Sequence, residues 1–353
     1  MKRMISFWIA VGLLLSMCAC SVLPLQGQRE LTDGAGRKVA LPEKIGRVVC
    51  VGVGALRYSC YLGCADLVVG VEDYETKESI TRLYNYVNFE KFQNLPIIGT
   101  NGQPSAESII DVLPDVIVMS QSASVDADQL QAKTGIPVFV IPGSDALLDD
   151  NCYATISLLG QLYKKQERAE VLAEYLRGTA RDLRERMEGC DRIPSIYACG
   201  ISFKGAHGLE GTEANYGPIS LLGLSTLADE VGLNGAFDID KEQVLSWDPD
   251  MIFVDYNGLE LIRQDMEKNP EFYENLSAIQ QGRVYTQISF RSYALNLETA
   301  LVDAYYAGSV IYPQAFADLE EKIGEVFTML LGENPYEALK EAGYVFTSLT
   351  LCP

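Results

Sequence analysis

The chain is 353 residues long and carries 48 acidic against 28 basic side chains, a formal net charge of −20 at neutral pH. That balance excludes a nucleic-acid partner and a polybasic grip on anionic lipid, both of which need clustered Lys and Arg. The length exceeds what one hydrophobic core usually serves, so two domains are expected.

Taken in chain order, Met1-Lys2-Arg3 before the apolar run Ile5 to Leu15 reads as an export signal too short to span a bilayer. Its exit, Leu15-Ser16-Met17-Cys18-Ala19-Cys20-Ser21, resembles a lipoprotein cleavage box. Cys20 is the expected acylated residue because the small Ala19 precedes it. Residues 1–19 are then the signal, 20–29 a tether, and any membrane residence comes from the lipid alone.

From residue 30 to 145 the pattern predicts an α/β lobe. Asp33-Gly34 marks a hairpin, and strands are expected over Arg47 to Val53, Leu67 to Val71, Pro96 to Gly99, Val116 to Ser120 and Val138 to Ile141. Helical patterns alternate with them, which indicates a doubly wound, mainly parallel sheet. Residues 146–189 hold no strand signal. Leu158, Leu159 and Leu162, then Ala169, Leu172, Ala173, Leu176, Leu183 and Met187, recur at helical spacing and predict two helices, the second from about Gln166 to Glu188. A second α/β lobe follows over 190–353, with strands at Ile196–Cys199, Met251–Asp255 and Val284–Ile288 and closing helices over 295–312 and 319–343.

One pattern occurs in both lobes. Glu107 stands seven residues before Pro114-Asp115-Val116-Ile117, and Glu242 seven before Pro249-Asp250-Met251-Ile252. Each copy reads as a short helix entering a buried strand, with a carboxylate two places after an N-cap, Ser105 or Asp240.

Hydrolytic and nucleotide chemistry find no support. There is no phosphate loop, no complete dinucleotide fingerprint at Gly52-Val53-Gly54, no nucleophile elbow and no His-Glu-x-x-His. His207 is the only histidine, so a His-rich metal site cannot be built, and no catalytic residue, metal site or cofactor is assigned. The seven cysteines beyond the signal (Cys50, Cys60, Cys64, Cys152, Cys190, Cys199 and Cys352) are odd in number and read as small apolar residues.

The ordered set of features resembles the two-lobed solute-binding proteins of ABC importers for ferric siderophores, haem and cobalamin. Four stretches carry it: Thr32 to Val39 with Leu41-Pro42; Arg47-Val48-Val49 through Gly54 to Leu62–Val71; the paired Glu and Pro-Asp elements; and Leu276 to Tyr285. The resemblance implies two Rossmann-like lobes facing across a cleft, joined by a long rigid helix. It also implies that Glu107 and Glu242 dock on arginines of a permease dimer served by ATPase subunits. The implied cargo is an iron chelate, with a corrinoid or haem as the alternative. A catalyst or adhesin on the same fold is the competing class, and it lacks an acid/base motif.

Ligands of such sheets bind beyond the carboxyl ends of the strands. The first lobe then offers Arg57, Tyr58 and Tyr74, with Thr100, Asn101 and Gln121. The second offers Lys204, His207, Tyr216, Tyr256, Arg291 and Tyr293, with Phe203 and Asn257. Tyr and Arg supply flat surface and donors suited to a large chelate.

Overall fold

The computed structural model describes residues 27–100, 103–143 and 146–349. The signal, Cys20, Asn101 and Cys352 lie outside the described residues. Thirteen strands occur among the described residues: β1 (Gln28–Thr32), β2 (Lys38–Pro42), β3 (Val48–Val51), β4 (Val68–Glu72), β5 (Ile97–Thr100), β6 (Gln103–Pro104), β7 (Val116–Ser120), β8 (Val138–Ile141), β9 (Ile196–Cys199), β10 (Gly211–Glu213), β11 (Ala236–Asp238), β12 (Met251–Asp255) and β13 (Val284–Gln287).

The first lobe is built on a six-stranded sheet in the order β6-β5-β4-β3-β7-β8, parallel except for the short edge strand β6. β3, β7 and β8 are buried at every position, as expected of Val- and Ile-rich strands covered on both faces. The β1–β2 hairpin starts at Gln28, so the last residues assigned to the tether belong to the fold. It is fastened to β8, with Gly34 N–H donating to the Val140 carbonyl and Val140 N–H to the Asp33 carboxylate. The second lobe holds the three strands its pattern predicted, with one short ribbon added. Its main sheet has three parallel strands, β13-β12-β9, beside a two-stranded β10–β11 ribbon. Residues 347–349 run antiparallel along β13, Thr286 N–H reaching the Thr347 carbonyl and Leu349 N–H that of Val284. This segment covers what would otherwise be an open sheet edge.

The linking segment forms two helices, Asp150–Tyr163 and Gln166–Met187. The second has 22 residues, a rod of about 33 Å. It is clamped near both ends. Arg168 donates to the carbonyls of Tyr61, in the first lobe, and Met329. Arg186 makes a paired contact with Asp318 at 2.6 and 2.8 Å and reaches the Ala315 carbonyl. Beside it the Leu297–Ile311 helix is buried from Leu297 through Gly308. A single apolar cluster runs from Val48 and Tyr61 through Leu172 and Leu176 to Ile219, Leu301 and Phe327. The lobes are therefore joined by a shared core, and not by a flexible strand crossover.

The repeated motif proves to be a strand-starting clamp. Leu113 (φ 44°) and Asp248 (φ 42°) adopt the left-handed conformation just before the proline in each copy. Asp115 then accepts from Gly46 and Arg47 N–H, fixing the start of β3 beside β7. Asp250 accepts from Ser195 N–H and its hydroxyl, fixing β9 beside β12. The Pro-Asp half of the motif is thus explained by sheet assembly in both lobes.

Candidate functional site

Loops beyond the carboxyl ends of β3, β7 and β8 face loops after β9, β10 and β13, and two connected chambers lie between them. The smaller, about 290 Å³, is lined by Val53, Gly54, Tyr58, Ser122, Gly143 and the 291–295 segment. The larger, about 690 Å³, is lined by Leu147, Arg184, Phe203, Glu213, Asn215 and Phe290, among others. Arg291 and Leu295 border both chambers.

Arg291 holds a bidentate contact with Glu213: Nε donates to Oε2 at 2.8 Å and Nη2 to Oε1. Glu213 is buried, with a side chain 4% exposed, whereas Arg291 remains 32% exposed toward the cleft. Burial pushes the Glu213 carboxyl up, and the Arg291 hydrogen bonds and charge pull it back. The guanidinium plane also lies over the Phe290 ring, 5.4 Å from its centroid.

Arg57 borders the smaller chamber, but its charge is turned inward. It is 1% exposed and donates to the carbonyls of Leu295 (2.9 Å), Ser292 (3.1 Å) and Tyr293 (2.6 Å), with its carbon centre 4.7 Å from the Tyr84 ring. It therefore staples the first lobe to the 292–295 segment of the second. Tyr293 adds to this seam, with its ring 3.8 Å from that of Tyr74 and both hydroxyls donating to Glu72 Oε2 at 3.2 Å. Tyr293 and Ala294 both have left-handed backbones, φ 51° and 72°, which turns the segment sharply enough for Arg291 to bridge to Leu295.

Several residues expected in the cleft lie elsewhere. Tyr216 is 1% exposed and donates to Gln287 Oε1 inside the second lobe, because a Tyr at the head of a short helix is drawn into that core. Tyr256 is spent on the C-terminal segment, donating to the Val345 carbonyl at 2.7 Å and accepting from Val345 N–H at 2.9 Å. His207 has both ring nitrogens engaged, Nδ1 with Asp238 at 2.7 Å and Nε2 with the Phe203 carbonyl at 2.8 Å, and stacks on Phe203. It therefore orders its own Gly-rich loop. Tyr58 is buried at the cleft wall, and Lys204, Thr100, Gln121 and Asn257 are exposed. Arg184 was missed, since its place on the linking helix gave no sign that this helix passes beneath the cleft. Glu213 was missed as the partner of Arg291, because the ribbon carrying it has only three-residue strands.

Glu107 and Glu242 are exposed first-turn residues of the Ala106–Asp111 and Lys241–Trp247 helices. Neither enters an ion pair among the described residues. Each helix runs directly into the strand that its Pro-Asp pair starts, β7 or β12, so the two carboxylates hold equivalent positions in the two lobes.

Residues 61–288 match the family described as periplasmic binding protein, and the chain belongs to that family, with the fold and two-lobed plan of the class III solute-binding proteins of ABC transporters. It is 21% identical over 337 residues to the molybdate-binding protein MolA of Haemophilus influenzae, an alignment spanning 88% of this chain and 92% of that protein. It is 23% identical over 219 residues to the Fe(3+)-citrate-binding protein YfmC of Bacillus subtilis, spanning 62% and 65% of the two chains. Among solved structures, a periplasmic solute-binding protein from Veillonella parvula superposes with a TM-score of 0.68 at 19% identity, covering 87% of this chain and 94% of that one. The family and these neighbours are binding proteins, not enzymes. No helix among the described residues is long and apolar enough to cross a membrane.

Proposed function

We propose that this protein is the lipid-anchored receptor of an ABC importer, that it captures an iron chelate of the ferric-siderophore type, and that it delivers the chelate to a permease dimer. The observation that carries the cargo assignment is the cleft itself. A 690 Å³ chamber joined to a second of 290 Å³ suits an organic chelate, within the range of about 300–1,000 Å³ typical of small-molecule sites. Phe203 and Leu147 supply apolar walls, and Arg184 and Arg291 supply cationic donors. The metal is cargo, held by its chelator and not by protein atoms.

The smaller chamber favours a second reading, a bare oxyanion seated against Ser122, Gly143 and Arg291, and the similarity to MolA points the same way. A corrinoid also suits the larger chamber. Haem held through histidine is disfavoured because both nitrogens of His207 are committed.

Thermal-shift titration with ferric chelates, cobalamin, haem and molybdate discriminates these readings, since a ligand at 100 times its Kd stabilises the fold by about 2.7 kcal/mol. A shift with ferric chelates alone is the expected result. A shift with molybdate alone would establish the oxyanion reading. Mass spectrometry of the exported protein tests the anchor, with a diacylated N-terminal Cys20 expected.

A further inference from the structure

We infer that the Glu213–Arg291 pair makes the cleft selective for chelates of little or no net charge over polyanionic ones. The inference rests on the chelate-capture reading and deepens it.

Arg291, with Leu295, borders both chambers and is the charged side chain common to them, so a ligand that fills either lies against it. Its charge is already matched by Glu213, held bidentate beneath it. A ligand carboxylate or catecholate brought to the outer edge of that guanidinium would form the second anion around one cation, with Glu213 buried and shielded poorly by water. Arg57, the other cation at the smaller chamber, is committed to three backbone carbonyls and shares a small buried pocket with Glu72 and Glu75. Arg184, on the exposed flank of the linking helix, is the one cation bordering the larger chamber that has no ion pair among the described residues. A single uncompensated charge is a poor match to a complex of charge −3. The rest of the chain adds a negative background from its excess of acidic residues.

A pair of this kind still leaves directional recognition intact. Nη1 of Arg291 makes no contact with Glu213, so it remains a donor for a neutral acceptor such as a hydroxamate or amide carbonyl. Phe203 and Leu147, both only partly buried, supply area that does not depend on charge.

The test uses the soluble chain from Gly27 with two ferric probes of similar size, a neutral tris-hydroxamate and a trianionic tris-catecholate, titrated by quenching of tyrosine fluorescence at low and at high salt. The wild type is expected to bind the neutral complex at least about tenfold more tightly at low salt, the gap narrowing as salt screens the repulsion. Glu213→Gln should shift the affinity ratio toward the trianion by at least about tenfold. Arg184→Gln, at an exposed position where folding is not at risk, should shift it the opposite way and carries the test if Glu213→Gln does not fold. A trianion bound as tightly as the neutral complex, or a ratio that neither variant moves, overturns the inference while leaving chelate capture standing. Failure of both complexes to bind would instead remove the chelate reading, and the inference with it.

Discussion

Replacing Arg57 by Met tests the claim that the lobes are stapled at the rim of the cleft. The substitution keeps most of the side-chain length and apolar stem but removes the three donors that satisfy the carbonyls of Ser292, Tyr293 and Leu295. Each buried acceptor left unpaired costs about 1–3 kcal/mol, and the Tyr84 contact adds about 1–2 kcal/mol more. These terms do not add fully, because the 292–295 segment can relax and admit water. Loss of the cation also leaves Glu75 and Glu298, whose carboxyls it helps to hold down, less compensated in the interior. The expected net loss is about 3–5 kcal/mol, the range for removing one partner from a buried charged network. That corresponds to a fall of about 4–7 °C in Tm for a protein of this size. Differential scanning calorimetry should show the fall together with a broader or divided transition as the lobes uncouple. A loss below about 1 kcal/mol with one sharp transition would refute the staple.

Three further outcomes follow from the geometry. Glu107→Ala and Glu242→Ala should each abolish uptake of labelled chelate by cells while leaving solution affinity within about twofold; a large loss of affinity would put these residues in the pocket. Burial raises the Asp255 carboxyl to about 7, so between about pH 4 and 7 the unfolded chain releases a proton that the folded chain retains, and stability falls as pH rises through this window. The contribution is up to about 4 kcal/mol, and Asp255→Asn, which keeps acceptors for Ser289 and Asn257, should flatten the decline in urea titrations at successive pH values. Gly258→Ala would place a methyl carbon 2.2 Å from the Gly200 Cα and 2.4 Å from the His207 carbonyl, both backbone atoms, and should cost more than about 3 kcal/mol in urea unfolding.

The elements that were legible in the sequence are those whose neighbours do not alter the pattern. β3, β7 and β8 read as apolar runs because a parallel strand covered on both faces has no polar alternation, and Gln166–Met187 showed its buried stripe because one side faces solvent. The β10–β11 ribbon was too short to signal itself. The C-terminal strand contact depends on β13, some sixty residues earlier, and no local pattern records such a pairing. The site was harder to read for a physical reason. Tyr and Arg serve equally well as ligand contacts and as interior staples, and only the partner groups decide between them. Arg57 and Arg291 look alike in sequence, yet one is sealed on carbonyls and the other faces the cleft over a buried carboxylate. Likewise Tyr216 and Tyr256 follow strand-end patterns but meet Gln287 and Val345 in the fold. The twin Pro-Asp elements were visible as a repeat, while their role as clamps on β3 and β9 required the strand order.

The most direct measurement is calorimetric titration of the exported chain with a ferric chelate, made in parallel on wild type and on Ser202→Trp, which fills the larger chamber. The account predicts saturable binding of one chelate per chain with no change in the ligand, and loss of at least about a hundredfold in affinity in the filled variant. Binding that survives the tryptophan undiminished, or release of a chemically altered ligand, would contradict it.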